Sequence, residues 1–368
     1  MLLHNSEEPG CRWRILGFFL LVVTMMFAWS ISPARADFND PSIKVMTQNM
    51  DAGTDLGFFF YYASQGDPVL GAQLTYQEIT TQSQIPGRAQ RLALEIALEQ
   101  PDLISLQEVT NWGILTPQNG QTKVLYDQLD LLLKALSALR QHYDVVTVQS
   151  LTLAYAPLDT DQSQLLLFND RNVILARSDA WHSFTLSNVQ THIYSTLFGF
   201  SGFQELMGWI SVDVKMQGKQ MRLFSTHLTS PEAGMPDTIK IQVAQADELI
   251  QAMNSSSLPV VLAGDFNSDA EQAGIGPDQT PTAAGIAAAG YTDTWHQLHP
   301  RDRGFTWPIF SEDVYPITPI PPLAKLNERI DLIYERDLKV LDVDRVFHIL
   351  PPWASDHLGV VATLRIDR

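Results

Sequence analysis

From Ile43 onward, apolar residues occur either at alternate positions or in short unbroken runs, and these stretches alternate with segments whose apolar residues fall three and four apart. The first kind predicts strands and the second helices. "IKVMTQN" reads as a strand, "RAQRLALEIALEQ" as a helix turning Leu92, Ile96 and Leu98 inward, and "PDLISLQEV" as a second, buried strand. "VLYDQLDLLLKALSALR" predicts another helix, with Leu125, Leu129, Leu132 and Leu136 on one stripe. "YDVVTVQ", "RNVILAR", "WISVDVKM" and "MRLFSTHL" predict strands, the last two joined as a hairpin through Gln217-Gly218-Lys219. "DTIKIQVAQADELIQAM" predicts a helix capped by Asp237, and "PVVLAGDFN" a further buried strand. A looser stretch around 270–302 precedes "RGFTWPIF", "ERIDLIYER", "LKVLDVDRVFHIL" and "HLGVVATLRI". No internal repeat and no linker divides this pattern. It predicts one α/β domain in which two mixed sheets pack face to face with helices outside.

Two segments fit the alternation less well. Residues 56–77 and 184–208 carry too many aromatic rings for solvated loops. Either they pack on the core or cover a sheet edge, or they form a substrate rim or a membrane-touching surface.

The chain has 368 residues, 45% of them hydrophobic, enough for a well-filled core. Its start follows different rules: Arg12 and Arg14 precede an apolar run from Ile15 to Ile31 that ends in Ala34-Arg35-Ala36. That order predicts a secretory signal over 1–36, cut after Ala36, and a secreted or periplasmic protein spanning 37–368; an uncleaved anchor is the alternative. Cys11, the one cysteine, precedes the cut, so the mature fold is expected to form without disulfides. The whole chain has 24 basic and 41 acidic side chains, and removing the leader's three and two leaves 21 against 39, a net charge near −18. This balance argues against a tight, sequence-independent grip on polyanions, but not against an enzyme that admits phosphate through a metal ion.

One polar element recurs at the strand exits. Asn49 follows "VMTQ", Glu108 follows "LISLQ", His227 ends "LFSTH", and Asp265 and Asn267 close "VLAGDFN". Asp331 stands in "RID", and Asp356 and His357 precede the final strand. Singly, each is ordinary turn or surface chemistry. Together they occupy the places where α/β enzymes assemble sites, because the scaffold fixes the side chains while the loops admit substrate. Glu108, Asp356 and the amide oxygen of Asn49 are hard donors suited to Mg²⁺ or Mn²⁺, with zinc left open by the histidines.

The motifs Gln48-Asn49, Leu106-Gln107-Glu108, Thr226-His227-Leu228, Gly264-Asp265-Phe266-Asn267, Thr306-Trp307, Arg329-Ile330-Asp331 and Ser355-Asp356-His357 resemble the endonuclease/exonuclease/phosphatase superfamily, in family order across almost the whole mature chain. The resemblance implies a four-layer α/β sandwich with helices on both outer faces, and metal-assisted hydrolysis of a phosphate ester. It implies that Asn49, Glu108 and Asp356 hold the metal, that His357 pairs with Asp331 as an acid/base couple, and that Asp265 orients the attacking water. Asn267 and His227 are then donors to the phosphate oxygens, and Asn172, Thr306 and Trp307 face the substrate.

Arg171 departs from the pattern, standing where the family commonly has glycine. Thr226-His227-Leu228 also differs from the Tyr and Asn of the abasic-site repair branch. The expected partner is a phosphate-ester substrate: in the first place nucleic acid, which makes the protein a secreted nuclease-type phosphodiesterase, and as the alternative a phospholipid headgroup, which makes it a sphingomyelinase-like phosphodiesterase or phosphatase. The second case brings transient membrane contact through 56–77 or 184–208. No stable protein partner is implied. A non-catalytic binding protein on this scaffold is expected to have lost a metal ligand or the Asp-His pair, and this chain keeps them.

Overall fold

A computed structural model describes residues 41–54, 56–179, 184–200, 203–232, 235–271, 279–309, 326–346 and 352–367. The leader expected over 1–36 lies outside the described residues. Strand β1 (Ser42–Asn49) leads into helices α1 (Gly57–Ser64), α2 (Pro68–Thr81) and α3 (Ile85–Glu99). Strands β2 (Leu103–Gln107), β3 (Asn111–Thr116) and β4 (Gln121–Asp127) follow, then α4 (Gln128–Ala138), β5 (Tyr143–Pro157) and β6 (Leu165–Arg177). Next come β7 (Phe184–Ile193), the short antiparallel pair β8 (Phe198–Phe200) and β9 (Phe203–Glu205), and the hairpin β10 (Gly208–Met216) and β11 (Lys219–His227). The chain continues through α5 (Pro236–Asn254), β12 (Val260–Asp265), α6 (Thr282–Ala288), β13 (Thr292–Asp293) and α7 (Thr294–Leu298) to β14 (Asp331–Arg336), β15 (Lys339–Val346) and β16 (Gly359–Arg365).

The strands form two mixed sheets. One has eight strands in the order β15-β16-β1-β2-β6-β3-β4, with β5 also paired to β6; the other has six, in the order β13-β14-β12-β11-β10-β7. Period-two alternation within single strands builds the layers. Val261 and Ala263 of β12 meet Val45, Leu103 and Ile174 between the sheets, while Val260 and Leu262 face outward against Leu249 and Met253 of α5 and Ile286 of α6. On the far side of the first sheet, Met46, Ile104 and Val173 pack against Leu92 and Ile96 of α3 and Leu132 and Leu136 of α4. The result is the expected four-layer sandwich, helices–sheet–sheet–helices.

Local chemistry moves several predicted boundaries. The helix expected from 124 begins at Gln128, because Val124 to Asp127 continue β4 against β3 and Asp127 then caps the helix through the N–H groups of Leu129 and Asp130. Leu125 therefore packs from a strand, not from the helical stripe. Asp237 does not cap α5: the helix opens with Pro236 after Met235, and Asp237 lies in its first turn, where a carboxylate favours the positive end of the helix. Leu98 is not inward. It sits two residues, roughly 200° around the helix, from Ile96, and is 62% exposed where Ile96 is wholly buried. The aromatic stretch 56–77 forms α1 and most of α2, and 184–208 forms β7, β8 and β9.

The two faces of α3 set a test. Ile96→Ala is expected to cost roughly 2–5 kcal/mol of unfolding free energy through the cavity it leaves, and Leu98→Ala less than about 0.5 kcal/mol. Urea unfolding of both variants decides it, and equal losses would contradict the burial assigned to Ile96.

Candidate active site

Strand direction gathers the polar residues. β1 and β2 run parallel, as do β11 and β12, so Asn49, Glu108, His227 and Asp265 emerge at strand ends. β14 is antiparallel to β12 and β16 to β1, so Asp331 and the Asp356-His357 pair stand where those strands begin, at the same lip. Asp265 and Asp331 are direct cross-strand partners. Gly264 permits this placement, since a Cβ there would lie 2.2 Å from the Thr226 carbonyl oxygen. Beyond the strands the backbone turns sharply: Asp51, Glu108 and Asn267 have φ of 58°, 52° and 47°. The left-handed region is unfavourable for a non-glycine residue, and residues held there mark sites that their surroundings over-determine.

The lip borders a cavity of about 580 Å³ whose wall includes Asp51, Glu108, Asp265, Asn267, His227, Trp307, Asp356 and His357. Two hydrogen bonds cross it from sheet to sheet. Asn49 Nδ2 donates to Asp265 Oδ2 at 2.9 Å, and the His357 Nδ1–Asp331 Oδ2 distance is 2.9 Å. Asn49 Nδ2 also donates to Glu108 Oε1 at 2.8 Å, and its amide oxygen accepts the Asp51 N–H at 2.8 Å. Asn49 was expected to offer that oxygen to a metal; here one lone pair is taken by the backbone, and the side chain joins two carboxylates. The second Glu108 oxygen accepts the Ala52 N–H at 2.7 Å. Asn267 donates its backbone N–H to Asp265 Oδ1 at 2.9 Å, and its amide nitrogen lies 3.2 Å from His227 Nε2.

Two expected residues lie behind the wall. Asn172 is fully buried and donates to the Gly208 carbonyl at 3.3 Å. Thr306 is equally buried, and its hydroxyl accepts the N–H groups of Ile330 and Asp331, both at 3.2 Å, so it holds the start of β14 in place without meeting the cavity. Trp307 does line the cavity, its ring 6.3 Å from that of His357. Arg171 is a clamp: its Nε donates to the Val109 carbonyl at 2.6 Å and its Nη2 to Asp127 Oδ1 at 2.7 Å, fixing the turn just after Glu108.

Sequence reasoning missed further members of the wall. Asp51, Asp170, Glu205 and Glu232 also line the cavity. Asp51 follows Asn49 by two residues in "NMDAG", which reads as turn chemistry; its role shows only through Arg88, which donates to Asp51 Oδ2 at 2.7 Å and to the Met50 and Asp51 carbonyls at 2.6 Å. No periodicity could link an arginine on α3 to that loop.

Charge crowding follows from this convergence. Burial, then the charges of Asp51 and Glu108, push the Asp356 carboxyl up to about 7 against the pull of His357 and Arg88. Burial also raises Asp51, against Arg88 and with Glu108. Burial alone would lower both imidazoles, but surrounding carboxylates outweigh it: Asp331, Asp356 and Asp265 hold His357 well above its usual range, and Asp265, Glu108 and Asp170 hold His227 above its own. Ligand atoms of Glu108, His227 and Asp265 lie within 4.8 Å of one another, as do those of Asp265, Asp331 and His357. The latter set is engaged in the imidazole–carboxylate bond, which leaves the Glu108 side, with Asp51 and Asp356, for a cation. Several crowded carboxylate oxygens, one of them holding a proton near neutrality, suit a hard divalent ion.

A sequence model described as the endonuclease/exonuclease/phosphatase family matches residues 46–357. No curated protein matches the chain. Solved structures share the fold. A Beutenbergia cavernae protein described as an endonuclease/exonuclease/phosphatase superposes with a TM-score of 0.57 at 22% identity, over 88% of this chain and 72% of that one. D. rerio TDP2 complexed with single strand DNA product gives 0.52 at 16% identity, over 88% and 99%. The human Nocturnin catalytic domain with bound sulfate anion gives 0.51 at 17%, over 88% and 94%.

Cation binding here should be coupled to proton release. Without metal, the Asp356 carboxyl holds its proton below about pH 7, and a cation favours the ionised form, so affinity for Mg²⁺ should fall as pH drops through 7, by up to about tenfold per pH unit for one proton. Calorimetric titration at pH 6 and pH 8 in buffers of different ionisation enthalpy checks this; affinity independent of pH would count against Asp356 at the cation site.

Proposed function

The chain belongs to the endonuclease/exonuclease/phosphatase family, whose members are divalent-metal-dependent phosphoesterases, and from that premise we propose that it is an exported phosphodiesterase that hydrolyses a headgroup-sized phosphate diester. The observation carrying this reading is the convergence of Asp265, Asn267, His227 and the Asp331–His357 pair beside Glu108, Asp51 and Asp356 in one cavity. The leader-like pattern over 1–36 supports export.

Bound among Glu108, Asp51 and Asp356, a divalent ion such as Mg²⁺ or Mn²⁺ supplies Lewis-acid neutralisation of the ester's negative charge. The remaining work falls to the chain's own groups. Asp331 holds His357 Nδ1, which orients the ring, and the surrounding carboxylates keep the imidazole protonated, so Nε2 can give a proton to the leaving oxygen. The Asp265 oxygens are each fixed by one donor, from Asn267 and Asn49, and their other lone pairs orient the water and take its proton as its oxygen bonds to phosphorus. As the ester bond breaks, Asn267 Nδ2 and the His227 imidazole donate to the phosphoryl oxygens. The retained Asp331–His357 pair argues against a non-catalytic role.

Two substrate classes separate at the cavity wall. Among the described residues its lining includes no lysine or arginine, and a run of backbone phosphates needs a cationic track. This favours a compact headgroup ester over nucleic acid. Beside the cavity, Phe58 and Tyr61 of α1 are 44% and 61% exposed, which supports transient contact with a lipid surface. The nuclease reading draws on the fold shared with TDP2 in its complex with a single-stranded DNA product. Parallel assays on plasmid DNA, bis(p-nitrophenyl) phosphate and sphingomyelin with Mg²⁺ distinguish the two, and DNA nicking without headgroup release would reverse the preference.

On bis(p-nitrophenyl) phosphate, His357→Ala is expected to lower kcat/KM by about 10² to 10⁴-fold, the range for a positioned acid or base. Glu108→Ala should cost at least as much, because phosphate-ester hydrolysis requires far more acceleration than proton transfer provides. A Glu108→Ala enzyme faster than His357→Ala would falsify that ranking.

A further inference from the structure

Part of the cavity wall is built by the β8–β9 pair and α1. Phe198 and Glu205 are direct cross-strand partners, and Phe203 lies two residues before Glu205 on the same strand, so all three project from one face. Phe60 of α1 packs edge-on against Phe203, with ring centroids 5.3 Å apart. These four residues all line the cavity, joined there by Asp170 and Glu232. The Glu205 carboxylate accepts one hydroxyl hydrogen bond, from Thr229 at 2.9 Å. Asp170, on β6, is only 6% exposed, and its carboxylate accepts the backbone N–H of Arg171 at 2.8 Å. Burial raises both carboxyls, Asp170 to about 7, against the pull of His227. Ionising a buried carboxyl is costly, and a cationic ligand in the cavity offsets that cost.

Resting on the phosphodiesterase reading, we propose that this aromatic and acidic box binds an organic ammonium group carried by the substrate, so that the preferred ester is a zwitterionic alkylammonium phosphodiester. The chemistry of the walls selects that cation over others. A hard metal ion seeks a shell of oxygens, whereas the faces of Phe60, Phe198 and Phe203 offer none. An alkylammonium is weakly hydrated, and is held by ring faces together with a carboxylate. The box adjoins His227, so one molecule can place its phosphate at the imidazoles and its ammonium between the rings. The 580 Å³ cavity is of ordinary size for such a ligand. Nucleic acid has no group that matches it: its bases could stack on the rings, but its phosphates would meet Asp170, Glu205 and Glu232.

Calorimetric titration of the purified protein with phosphocholine and with 3,3-dimethylbutyl phosphate, both with Mg²⁺ present, isolates the charge, because the two differ only by nitrogen in place of carbon. Phosphocholine should bind about tenfold tighter or better, and equal affinities overturn the proposal. Within Glu205→Gln the preference should shrink to less than about threefold, and in Phe203→Leu it should weaken without vanishing. The ratio is taken inside each variant, so a general loss of affinity does not imitate the effect. An undiminished preference in Glu205→Gln places the ammonium elsewhere and overturns the assignment. Turnover of bis(p-nitrophenyl) phosphate by the same preparation reads the reaction separately. Turnover with equal affinities removes the box and leaves the phosphodiesterase reading, while a preserved preference without turnover does the reverse.

Discussion

Two hydrogen bonds that cross from one sheet to the other at a single lip, Asn49 to Asp265 and His357 to Asp331, hold together a cluster of groups that would otherwise separate. Carboxylates at close range repel, and burial raises the cost of each charge. The protein offsets this with donors on different layers. Asn49 ties Glu108 to Asp265, Arg88 reaches from α3 to the Asp51 loop, and Thr306 fixes the backbone at Asp331. Each bond is ordinary in strength; their value lies in crossing between elements whose packing is already rigid.

The charge distribution that results is lopsided in a useful way. Near Glu108, Asp51 and Asp356 the negative potential suits a small hard cation. Around His227 and His357, Asp265 together with other carboxylates raises both imidazoles above their usual range. Burial and like charge raise Asp51 and Asp356 while the surrounding carboxylates raise the two imidazoles, so the same crowding favours the protonated form of both kinds of group. The left-handed backbone at Asp51, Glu108 and Asn267 belongs to this arrangement. Each strand must turn at once to keep its last polar group at the lip, and the cross-sheet bonds hold the strained residue there.

The aromatic part of the cavity wall has a different origin. Helix α1 and the β8–β9 pair come from the two aromatic segments that did not fit the strand and helix alternation. Phe60 and Phe203 pack on each other at the cavity wall while Phe58 and Tyr61 stay exposed. A core that is already full between the sheets leaves such residues to build the rim, and the rim is where a phosphoesterase of this architecture can choose its substrate.

The one-dimensional pattern determined the layers and most of the lip. Period-two runs such as "VVLAGD" must lie in a two-sided sheet, and the polar residues closing them must emerge at strand ends, so Glu108, His227, Asp265 and His357 were legible as a set. Local pattern failed where contacts are made between elements. Leu98 looks like its neighbours until the helix is laid on its sheet, and Asn172 and Thr306 carry site-like chemistry yet spend it on backbone. Asp51 reads as a turn until Arg88 reaches it, and nothing along the chain joins Asp170 of β6 to Glu205 of β9. Those choices depend on distances between residues far apart in sequence, which periodicity does not encode and which only packing of the two sheets and their helices decides.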